Sequence, residues 1–465
     1  MGTVVVDLGS STVKCGLAGP DGRVARRTAR PMPTELGADS AEVSPAALTA
    51  AVREAVRELL VDRPAVSDVV ITGQMGSHVW VDDGGRPVGK AVLWSDRRDM
   101  PAGTALMSGV NAAWFSEVSG QRYPTLAARS RWGEQAGRRG DPVPLRQWLV
   151  RVVTGRWCID PTDASVTGCL DIRAARWSEE LGRRLPVPAR SLLPLRAPDE
   201  VIGPVTGDGA ALLGLPAGAS VRCGAGDGPC ASLGAGATGA DACLTLGSGG
   251  TLRMVVDEPV TDRDRQATCL AFGTAAGRYV ISLPVSNVGF ALEWARRTLG
   301  FDDAAELDEA ARSAPVDPGL VFLPYLAGER FPYWDRGRTA GLTGLRAHHD
   351  RADIARAVLV SIGCCLRRAV EHVLALGVPI AAIRVNGGAA RFPGLLSLLA
   401  ATIPLPLRHV TAESLEGAAL LAGGTGEPPA PGRDVAPADL PADLLDLAYE
   451  RFIAASEAAP GQGRS

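Results

Sequence analysis

Two short turns rich in glycine and hydroxyl side chains occupy matching places in the two halves of the chain. The first follows the apolar run Val4–Val6 and reads Asp7-Leu8-Gly9-Ser10-Ser11; the second follows Cys243–Leu246 and reads Gly247-Ser248-Gly249-Gly250-Thr251. Each predicts a buried strand that turns tightly into a second strand, with N–H groups and hydroxyls available to phosphate oxygens. Ordinary β-hairpins share this pattern. Because it occurs once in each half, we expect two similar domains that hold one nucleotide for phosphoryl transfer.

The first turn carries two charged groups suited to a nucleotide. Asp7 offers a carboxylate to Mg²⁺ or its waters, and Lys14 is one of only two lysines in the chain. The second turn has Thr245 where the first has the acid. The predicted metal ligand is Asp7, and the predicted phosphate contacts are Ser10, Ser11, Lys14, Gly247, Ser248, Gly250 and Thr251.

Length and charge describe an ordinary globular chain. Its 465 residues are too many for one hydrophobic core, so we expect two or three domains. Lysine plus arginine (48) and aspartate plus glutamate (51) nearly balance without a long basic run, which excludes a nucleic-acid footprint. The chain starts with a predicted strand rather than a signal peptide, and its apolar runs are shorter than the ~18 residues of a membrane helix. We therefore expect a cytoplasmic protein with neither a nucleic-acid nor a membrane partner.

The cysteines and histidines give no pattern of a metal site. The nine cysteines include no Cys-x-x-Cys pair, and Cys364 and Cys365 lie in a helical pattern. We interpret them as reduced core thiols. The five histidines lack metal-ligand spacing, and no nucleophile-elbow serine occurs, so metalloenzyme and hydrolase functions are unsupported.

Strands and helices alternate along the chain, which predicts an α/β fold. The clearest helix covers 351–376, with Asp350 as its cap and Gly377 at its end. We place a domain boundary near residue 240. The predicted domains are 1–240, 241–424 and a last segment, 425–465, that contains a linker, a final helix and a disordered tail. Further predicted elements are a helix at 45–61, strands at Val69–Ile71 and Ile383–Val385, and helices at about Leu415–Ala422 and 439–456.

Two glycine patterns match nucleotide motifs in the wrong context. Gly84–Lys90 has the spacing of a P-loop, but Ala91 follows in place of a Mg²⁺-binding hydroxyl, and predicted strands flank the segment. We predict a hairpin turn there. Gly234–Gly239 matches the dinucleotide pattern, but a predicted strand follows it where a helix should begin. We assign phosphate binding to neither segment.

Phosphoryl transfer to an alcohol also needs a carboxylate that takes the hydroxyl proton. Asp227 stands in the glycine-rich segment Gly224–Pro229, just before a predicted small-residue helix and ahead of the second turn. An aspartate in such a segment is often only a turn former. Its place in the ordered series of turns makes Asp227 the predicted general base.

This ordered series resembles the FGGY family of carbohydrate kinases, in the actin/hexokinase-like superfamily. The resemblance extends from Val4 to about Ala422. The motifs that carry it are Asp7–Ser11, Gly73–Met75, Trp94–Arg98, Asp227, Gly247–Gly250, Phe322–Arg330 and Gly387–Arg391.

The resemblance implies an architecture and a set of roles. The fold would be α/β, with two ribonuclease-H-like domains of the actin/hexokinase type and an interdomain cleft for ATP and Mg²⁺. Asp7 would organise the metal and the phosphates, and Asp227 would be the base. Gly387, Gly388 and Ala389 would lie beside the adenosine.

The resemblance also implies a set of substrate contacts. Their predicted set is Gln74, Met75, His78, Asp96, Arg98 and Asp227. The family often carries Gly-Gln-Met-His-Gly, whereas here Gly76-Ser77-His78 follows the methionine, which weakens a xylulose assignment. The Asp227-Gly228 pair and Asn287 resemble the corresponding residues of gluconate kinases more than those of ketose kinases.

Two further features leave alternatives open. Trp80 and Trp94 fit sugar stacking and strand cores equally well. Glu329–Trp334 belongs to the family pattern, but its residues predict a turn with an exposed ion pair, and we assign it no catalytic role.

The sequence therefore predicts an ATP- and Mg²⁺-dependent kinase for a primary hydroxyl of an open-chain sugar acid, ketose or polyol. The expected partners are that small molecule and, in a homodimer, a second copy of the chain. A catalytically silent sugar-binding or regulatory protein on the same fold is the alternative, against which Asp7 and Asp227 argue. An actin-like assembly protein is a third hypothesis, but it gives no purpose to Gln74, Asp96 and Asp227.

Overall fold

The structure, a computed structural model, describes residues 1–273, 278–423 and 432–459. Their contacts divide the chain into two compact units. The first unit draws its described residues from Met1–Gly236, Val255–Ile281 and Ala412–Pro429, and the second from Ala237–Met254, Ser282–Thr411 and Ala430–Ser465. The predicted segments 1–240, 241–424 and 425–465 stay a prediction. Residues 424–431 of the predicted linker, and the predicted tail 460–465, lie outside the described residues.

Strands and helices alternate through both units, as in an α/β fold. In chain order the strands are β1 (Gly2–Leu8), β2 (Thr12–Ala18), β3 (Val24–Pro31), β4 (Thr34–Leu36), β5 (Ala41–Val43), β6 (Val66–Gly73), β7 (His78–Val81), β8 (Ala91–Val92), β9 (Asp141–Pro144), β10 (Leu170–Asp171), β11 (Arg176–Trp177), β12 (Val201–Pro204), β13 (Ser220–Arg222), β14 (Asp241–Leu246), β15 (Gly250–Val256), β16 (Thr268–Ala271), β17 (Tyr279–Val285), β18 (Val321–Leu323), β19 (Gly341–Thr343), β20 (Ala382–Asn386), β21 (Leu407–His409) and β22 (Arg433–Asp434). The helices are α1 (Pro45–Leu59), α2 (Met100–Met107), α3 (Ala112–Ser119), α4 (Thr125–Gln135), α5 (Leu145–Thr154), α6 (Pro161–Val166), α7 (Glu179–Arg184), α8 (Gly207–Leu213), α9 (Asp227–Gly234), α10 (Gly289–Thr298), α11 (Ala304–Ser313), α12 (Arg351–Ala375), α13 (Pro393–Thr402), α14 (Ser414–Leu420) and α15 (Ala442–Ala458). Across the described ranges, none of these helices is both long and apolar enough to cross a membrane.

The hairpin β1–β2 and its neighbour β6 form the centre of the first unit. β1 pairs antiparallel with β2, with Asp7 opposite Lys14, and parallel with β6. Val4 and Val6 lie in one core cluster with the buried side of α1, whereas Val5 lies in another with residues of α9 and α14. Strand β1 is therefore buried on both faces, as its continuous apolar run requires.

The second unit repeats this arrangement of strands. β14 pairs antiparallel with β15, with Thr245 opposite Thr251, and parallel with β20. The prediction of one strand-turn-strand device in each half is confirmed. Helix α12 begins after Asp350, whose side chain accepts hydrogen bonds from two N–H groups of the first turn, which confirms the predicted helix at 351–376. The other predicted elements correspond to α1, β6, β20, α14 and α15, with ends that differ by a few residues.

The segment with P-loop spacing connects two strands, as predicted. β7 and β8 pair antiparallel through His78 and Val92. Between them, Asp82 Oδ1 accepts hydrogen bonds from Gly84 N and Arg86 N, each at 2.9 Å. The segment therefore contains a closed turn in which the N–H groups of Gly84 and Arg86 are already engaged.

Two glycines let α9 and α14 pack backbone against backbone. A Cβ atom at Gly417 would overlap the carbonyl oxygen of Cys230, and one at Gly234 would overlap that of Glu413. The close approach requires residues without side chains at both positions. It also holds the start of α14 beside the end of β1, where Ser414 reaches Asp7.

We expect Gly417→Ala to destabilise the protein, although alanine is the better helix former. The added methyl group forces α9 away from α14, at a cost of about 1–3 kcal/mol in the free energy of unfolding. The matched control is Gly182→Ala in α7, where nothing lies within 4 Å of the added atom. That variant should gain up to ~1 kcal/mol. Urea unfolding measures both, and equal changes would contradict the close packing.

Candidate active site

Asp7 is a buried carboxylate near the end of β1. Its Oδ2 accepts a hydrogen bond from Ser414 Oγ at 2.6 Å. Its Oδ1 is also buried and has no hydrogen-bond partner among the residues that the structure describes. Because a buried charged oxygen without a partner is costly, this atom is suited to a ligand that brings positive charge.

Lys14 and Glu413 form an ion pair near Asp7. Lys14 stands opposite Asp7 in the hairpin, and its Nζ lies 2.9 Å from Glu413 Oε2. Sequence reasoning identified neither Glu413 nor Ser414 as part of a site. The signal there is a helix start, in which Glu413 N donates to Glu416 Oε2 at 2.9 Å. Such a pattern predicts a helix but not that its first turn returns to β1.

Asp227 is the first residue of α9 and is partly buried. Its Oδ1 accepts a hydrogen bond from Gly228 N at 2.7 Å. Burial, and next the negative charge of Asp227, raise the pKa of Asp7 to about 6. The two carboxylates are therefore close enough to repel each other. Hard carboxylate oxygens are the ligands that Mg²⁺ prefers, so the residues present fit the predicted ion.

A hydrogen bond from the preceding residue fixes the backbone before Asp227. Gly226 N donates to Thr162 Oγ1 at 2.9 Å. Thr162 is itself held by Asp160, whose Oδ1 accepts from Thr162 N at 2.9 Å. Asp160 caps the start of α6, so the orientation of Asp227 depends on a neighbouring helix end.

A buried arginine, Arg146, stabilises the loop that leads from β13 to Asp227. Arg146 forms ion pairs with Asp160 and Asp163, the second at 2.7 Å, and all three side chains are buried. Its Nη1 also donates to the carbonyl oxygens of Cys223 at 3.1 Å and Ile71 at 3.3 Å. The sequence reading missed this cluster, because Asp160-Pro161-Thr162 indicates only a helix start. Arg146 is a positioning residue for the ends of β6 and β13.

Gln74 and Met75 extend from β6 into the same region. Gln74 N donates to Leu8 O at 2.9 Å, and its amide Nε2 lies 3.4 Å from Gly9 O. The sulfur of Met75 fills the space where a side chain on Gly226 would stand. The structure thus gathers Asp7, Gln74, Met75 and Asp227 at the carboxyl ends of the parallel strands β1, β6 and β13.

His78 lies inside β7, with only 1% of its surface exposed. Burial, and next the charge of Arg129, lower the pKa of His78 to about 3, so its ring is neutral at ordinary pH. This position belongs to the core of the first unit. The substrate contact assigned to His78 stays a prediction.

Asp96 and Arg98 bind each other and the surrounding fold. Asp96 accepts hydrogen bonds from Ala41 N at 2.9 Å and Arg98 N at 3.0 Å, and it pairs with the Arg98 guanidinium at 2.7 Å. Burial alone would raise the pKa of Asp96, but hydrogen bonds from Arg98 and Ala41 hold that pKa below its usual range. Arg98 also lies 2.9 Å from Glu42. Substrate contacts by Asp96 and Arg98 stay predictions.

The two tryptophans have different environments. Trp94 is 46% exposed, and its indole N–H donates to Ser10 Oγ at 2.9 Å. Trp80 is 2% exposed and packs edge-on against Trp132, with ring centroids 5.8 Å apart. Trp80 is therefore a core residue, whereas Trp94 offers an accessible ring face beside the first turn. Ser10 and Ser11 are exposed at that turn.

The second glycine turn is tied to the start of α10. Gly247 N donates to Gly249 O at 2.8 Å within the turn. Val288 N then donates to Ser248 O, and Gly289 N to Gly247 O, each at 3.0 Å. These bonds hold the backbone of the turn in one fixed conformation.

Gly387 and Gly388 follow β20 in the second unit. Gly387 has φ of +98°, and a Cβ atom there would overlap Leu246 O, so only glycine fits. At Gly388 a Cβ atom would meet nothing within 4 Å, whereas Ala389 is buried. Open space beside the Gly388 backbone is what a closely approaching ligand requires.

Two family models match nearly the whole chain. The model for the N-terminal domain of the FGGY family of carbohydrate kinases matches residues 3–234, and the model for the C-terminal domain matches residues 242–425. A gluconokinase of Bacillus subtilis (strain 168) is 25% identical over 413 residues, covering 83% of this chain and 80% of that relative. A xylulose kinase of Staphylococcus epidermidis is 26% identical over 444 residues, covering 90% of this chain and 87% of that relative.

A solved structure shares the fold. Ligand-bound xylulose kinase from Lactobacillus acidophilus matches with a TM-score of 0.91 at 22% identity, over 98% of each chain. The predicted fold class, α/β with two ribonuclease-H-like domains of the actin/hexokinase type, is thereby confirmed.

We expect Asp7→Asn to stabilise the ligand-free protein at pH 8 but not at pH 4. Between the ordinary pKa of 3.8 and the raised value of about 6, the folded state binds more protons than the unfolded state, so wild-type stability falls as pH rises. Above pH 6 the ionised carboxylate costs on the order of 3 kcal/mol, which the amide avoids while it still accepts from Ser414.

Urea unfolding at both pH values, without Mg²⁺ or nucleotide, measures this difference. Asp39→Asn, at an exposed aspartate, is the control and should show no such pH dependence. A stability difference between Asp7→Asn and wild type that is the same at pH 4 and pH 8 would contradict the raised pKa.

Proposed function

Because the chain belongs to the FGGY family of carbohydrate kinases, it is a carbohydrate kinase, and we propose that it phosphorylates a primary hydroxyl of an open-chain sugar acid or ketose. ATP is the proposed phosphoryl donor and Asp227 the general base. The observation that most directly supports this assignment is the interaction of Asp227 with the buried Asp7 at the ends of the central strands.

Asp227 accepts the proton of the sugar hydroxyl in the proposed reaction. The hydroxyl oxygen attacks the γ-phosphorus as the bond from that phosphorus to the bridging oxygen breaks, so the products are a sugar phosphate and ADP. A base must be held in a fixed orientation to act in this way. Two features of the loop before Asp227 support this role: Gly226 N donates to Thr162, and Arg146 donates to Cys223 O.

Asp7 would hold Mg²⁺ or one of its waters through Oδ1, which accepts no hydrogen bond from the described part of the chain. The ion, when bound, supplies positive charge at the transferring phosphoryl group. Ser10, Ser11 and Lys14 are the proposed donors to phosphate oxygens in the first unit. The exposure of both serines supports this assignment.

The second unit contributes the remaining nucleotide contacts in this proposal. Gly247, Ser248, Gly250 and Thr251 present backbone N–H groups and hydroxyls to the phosphates. Gly387, Gly388 and Ala389 lie beside the adenosine. The open space at Gly388 supports an approach of the nucleotide to the backbone.

The acceptor is proposed to be of the gluconate or xylulose type, the substrates in the names of two relatives. Gln74 and Met75 stand next to the Asp227 loop and are the proposed hydroxyl and apolar contacts. The exposed face of Trp94 adds a stacking surface beside them. His78, Asp96 and Arg98 complete the proposed set.

Asp227→Asn should abolish turnover while the affinity for ATP stays within a few-fold of wild type. The amide keeps the shape of the side chain but cannot accept the proton, which should cost ~10²–10⁴ in rate. Asp208→Asn is a matched control, because Asp208 also precedes a glycine in the first turn of a helix, α8, and is exposed. Steady-state kinetics and nucleotide titration measure both variants. More than a tenth of wild-type activity in Asp227→Asn would exclude it as the base.

A coupled ADP-release assay with gluconate, xylulose, ribulose, sedoheptulose, erythritol and glycerol tests the acceptor class. We expect turnover with gluconate or xylulose, and much lower turnover with glycerol. Thermal-shift measurements with the same compounds detect binding without turnover. Sugar binding without ADP release from any acceptor would contradict the proposal and favour a silent sugar-binding protein.

A further inference from the structure

The side chain of Arg330 lies against the glycine turn of the second unit. A Cβ atom at Gly249 would stand 3.2 Å from Arg330 Nη2 and 2.6 Å from the carbonyl oxygen of Val285. Glycine at position 249 therefore leaves the room that the guanidinium occupies. This places a fixed cation directly beside the turn that is proposed to hold phosphates.

The side-chain hydrogen bonds of Arg330 go to neutral acceptors. Its backbone N–H donates to Ser286 Oγ at 3.0 Å, its Nε to the same hydroxyl at 3.3 Å, and its Nη2 to Val285 O at 3.5 Å. These acceptors are neutral. Within residues 1–273, 278–423 and 432–459, the structure shows no ion pair for Arg330.

The neighbouring acid, Glu329, binds backbone N–H groups rather than the guanidinium. Glu329 is 2% exposed, and its Oε1 accepts hydrogen bonds from Ser286 N at 2.7 Å and from the backbone N–H of Arg330 at 2.8 Å. The sequence predicts an exposed ion pair here, and this prediction is wrong because Glu329 is buried. Glu329 stabilises the backbone of the loop through these bonds. The Arg330 guanidinium donates instead to Ser286 and Val285.

The charges around Arg330 are one buried acid, Glu329, and two further arginines. Burial lowers the pKa of Arg330; Glu329 opposes this effect, and the charges of Arg253 and Arg336 add to it. A mostly buried cation among like charges is costly unless an anion neutralises it. Glu329 offsets only part of this cost, and the guanidinium lies next to a turn rich in backbone N–H groups. A guanidinium and such N–H groups together are typical of a polyphosphate site.

We propose that Arg330 binds the β- or γ-phosphate of the nucleotide and stabilises the charge of the transferring phosphoryl group. The inference rests on the proposed function and adds a catalytic residue to the site. Ser286 and Val285 orient the planar guanidinium, and Glu329 fixes the loop that carries it. Arginine suits this task because its fork of donors matches phosphate oxygens.

The test compares the affinities of wild type, Arg330→Gln and Arg330→Lys for adenosine, AMP, ADP and a non-hydrolysable ATP analogue. Glutamine can still reach Ser286 but has no charge. We expect Arg330→Gln to bind adenosine and AMP within two-fold of wild type, but ADP and the analogue about 10–100-fold more weakly. Its kcat should fall by ~10²–10³. Arg408→Gln, at an exposed arginine paired with Asp434, is the control and should match wild type.

Two results would overturn the inference. Wild-type affinity of Arg330→Gln for all four ligands would show that no phosphate is bound, and an equal loss for all four, adenosine included, would show a merely structural role. Should Arg330→Gln not fold, Arg330→Lys decides, because loss of the fork should weaken ADP relative to AMP at least three-fold. These binding data are independent of the acceptor, so they can fail while sugar phosphorylation is observed, and the reverse.

Discussion

The proposed site depends on one buried carboxylate, Asp7, whose Oδ1 has no hydrogen-bond partner among the described residues. Asp7 reaches this position because β1 is buried on both faces and ends where α14 begins. Ser414 satisfies one oxygen, while burial and the charge of Asp227 raise the pKa of the group to about 6. Proteins commonly retain destabilising groups where function needs them. A cation bound at Asp7 would remove the cost, so binding at this site and stability are coupled.

The two units share one backbone device but differ in charge. Each has a buried strand, a glycine turn and a parallel neighbour. In the first unit the turn stands beside Asp7 and Asp227, which suits a metal ion and a proton. In the second it stands beside Arg330, which suits phosphate oxygens. The same backbone device thus carries different charged groups beside its turn in the two units.

Local sequence patterns predict several of the elements that the structure contains. The β1–β2 hairpin, helix α12 and the helical start at Asp227 follow from apolar runs, a capping aspartate and glycine positions. Contacts between distant parts of the chain were not predictable, since no local pattern encodes them. Ser414 meets Asp7 across almost the whole sequence, and Arg146 meets the 223–226 loop from another helix. The family resemblance implies that Asp96 is a substrate contact, and the structure shows Ala41 and Arg98 bound to its oxygens.

The carboxyl carbons of Asp7 and Asp227 report most directly on whether these two groups form one electrostatic site that a cation completes. In protein labelled with ¹³C-aspartate, the signal lost in Asp7→Asn identifies Asp7. It should titrate near pH 6 in the ligand-free protein, and at lower pH both in Asp227→Asn and after addition of Mg²⁺ with an ATP analogue. Titration near the ordinary value of 3.8, unaffected by Asp227→Asn or by Mg²⁺, would contradict the account.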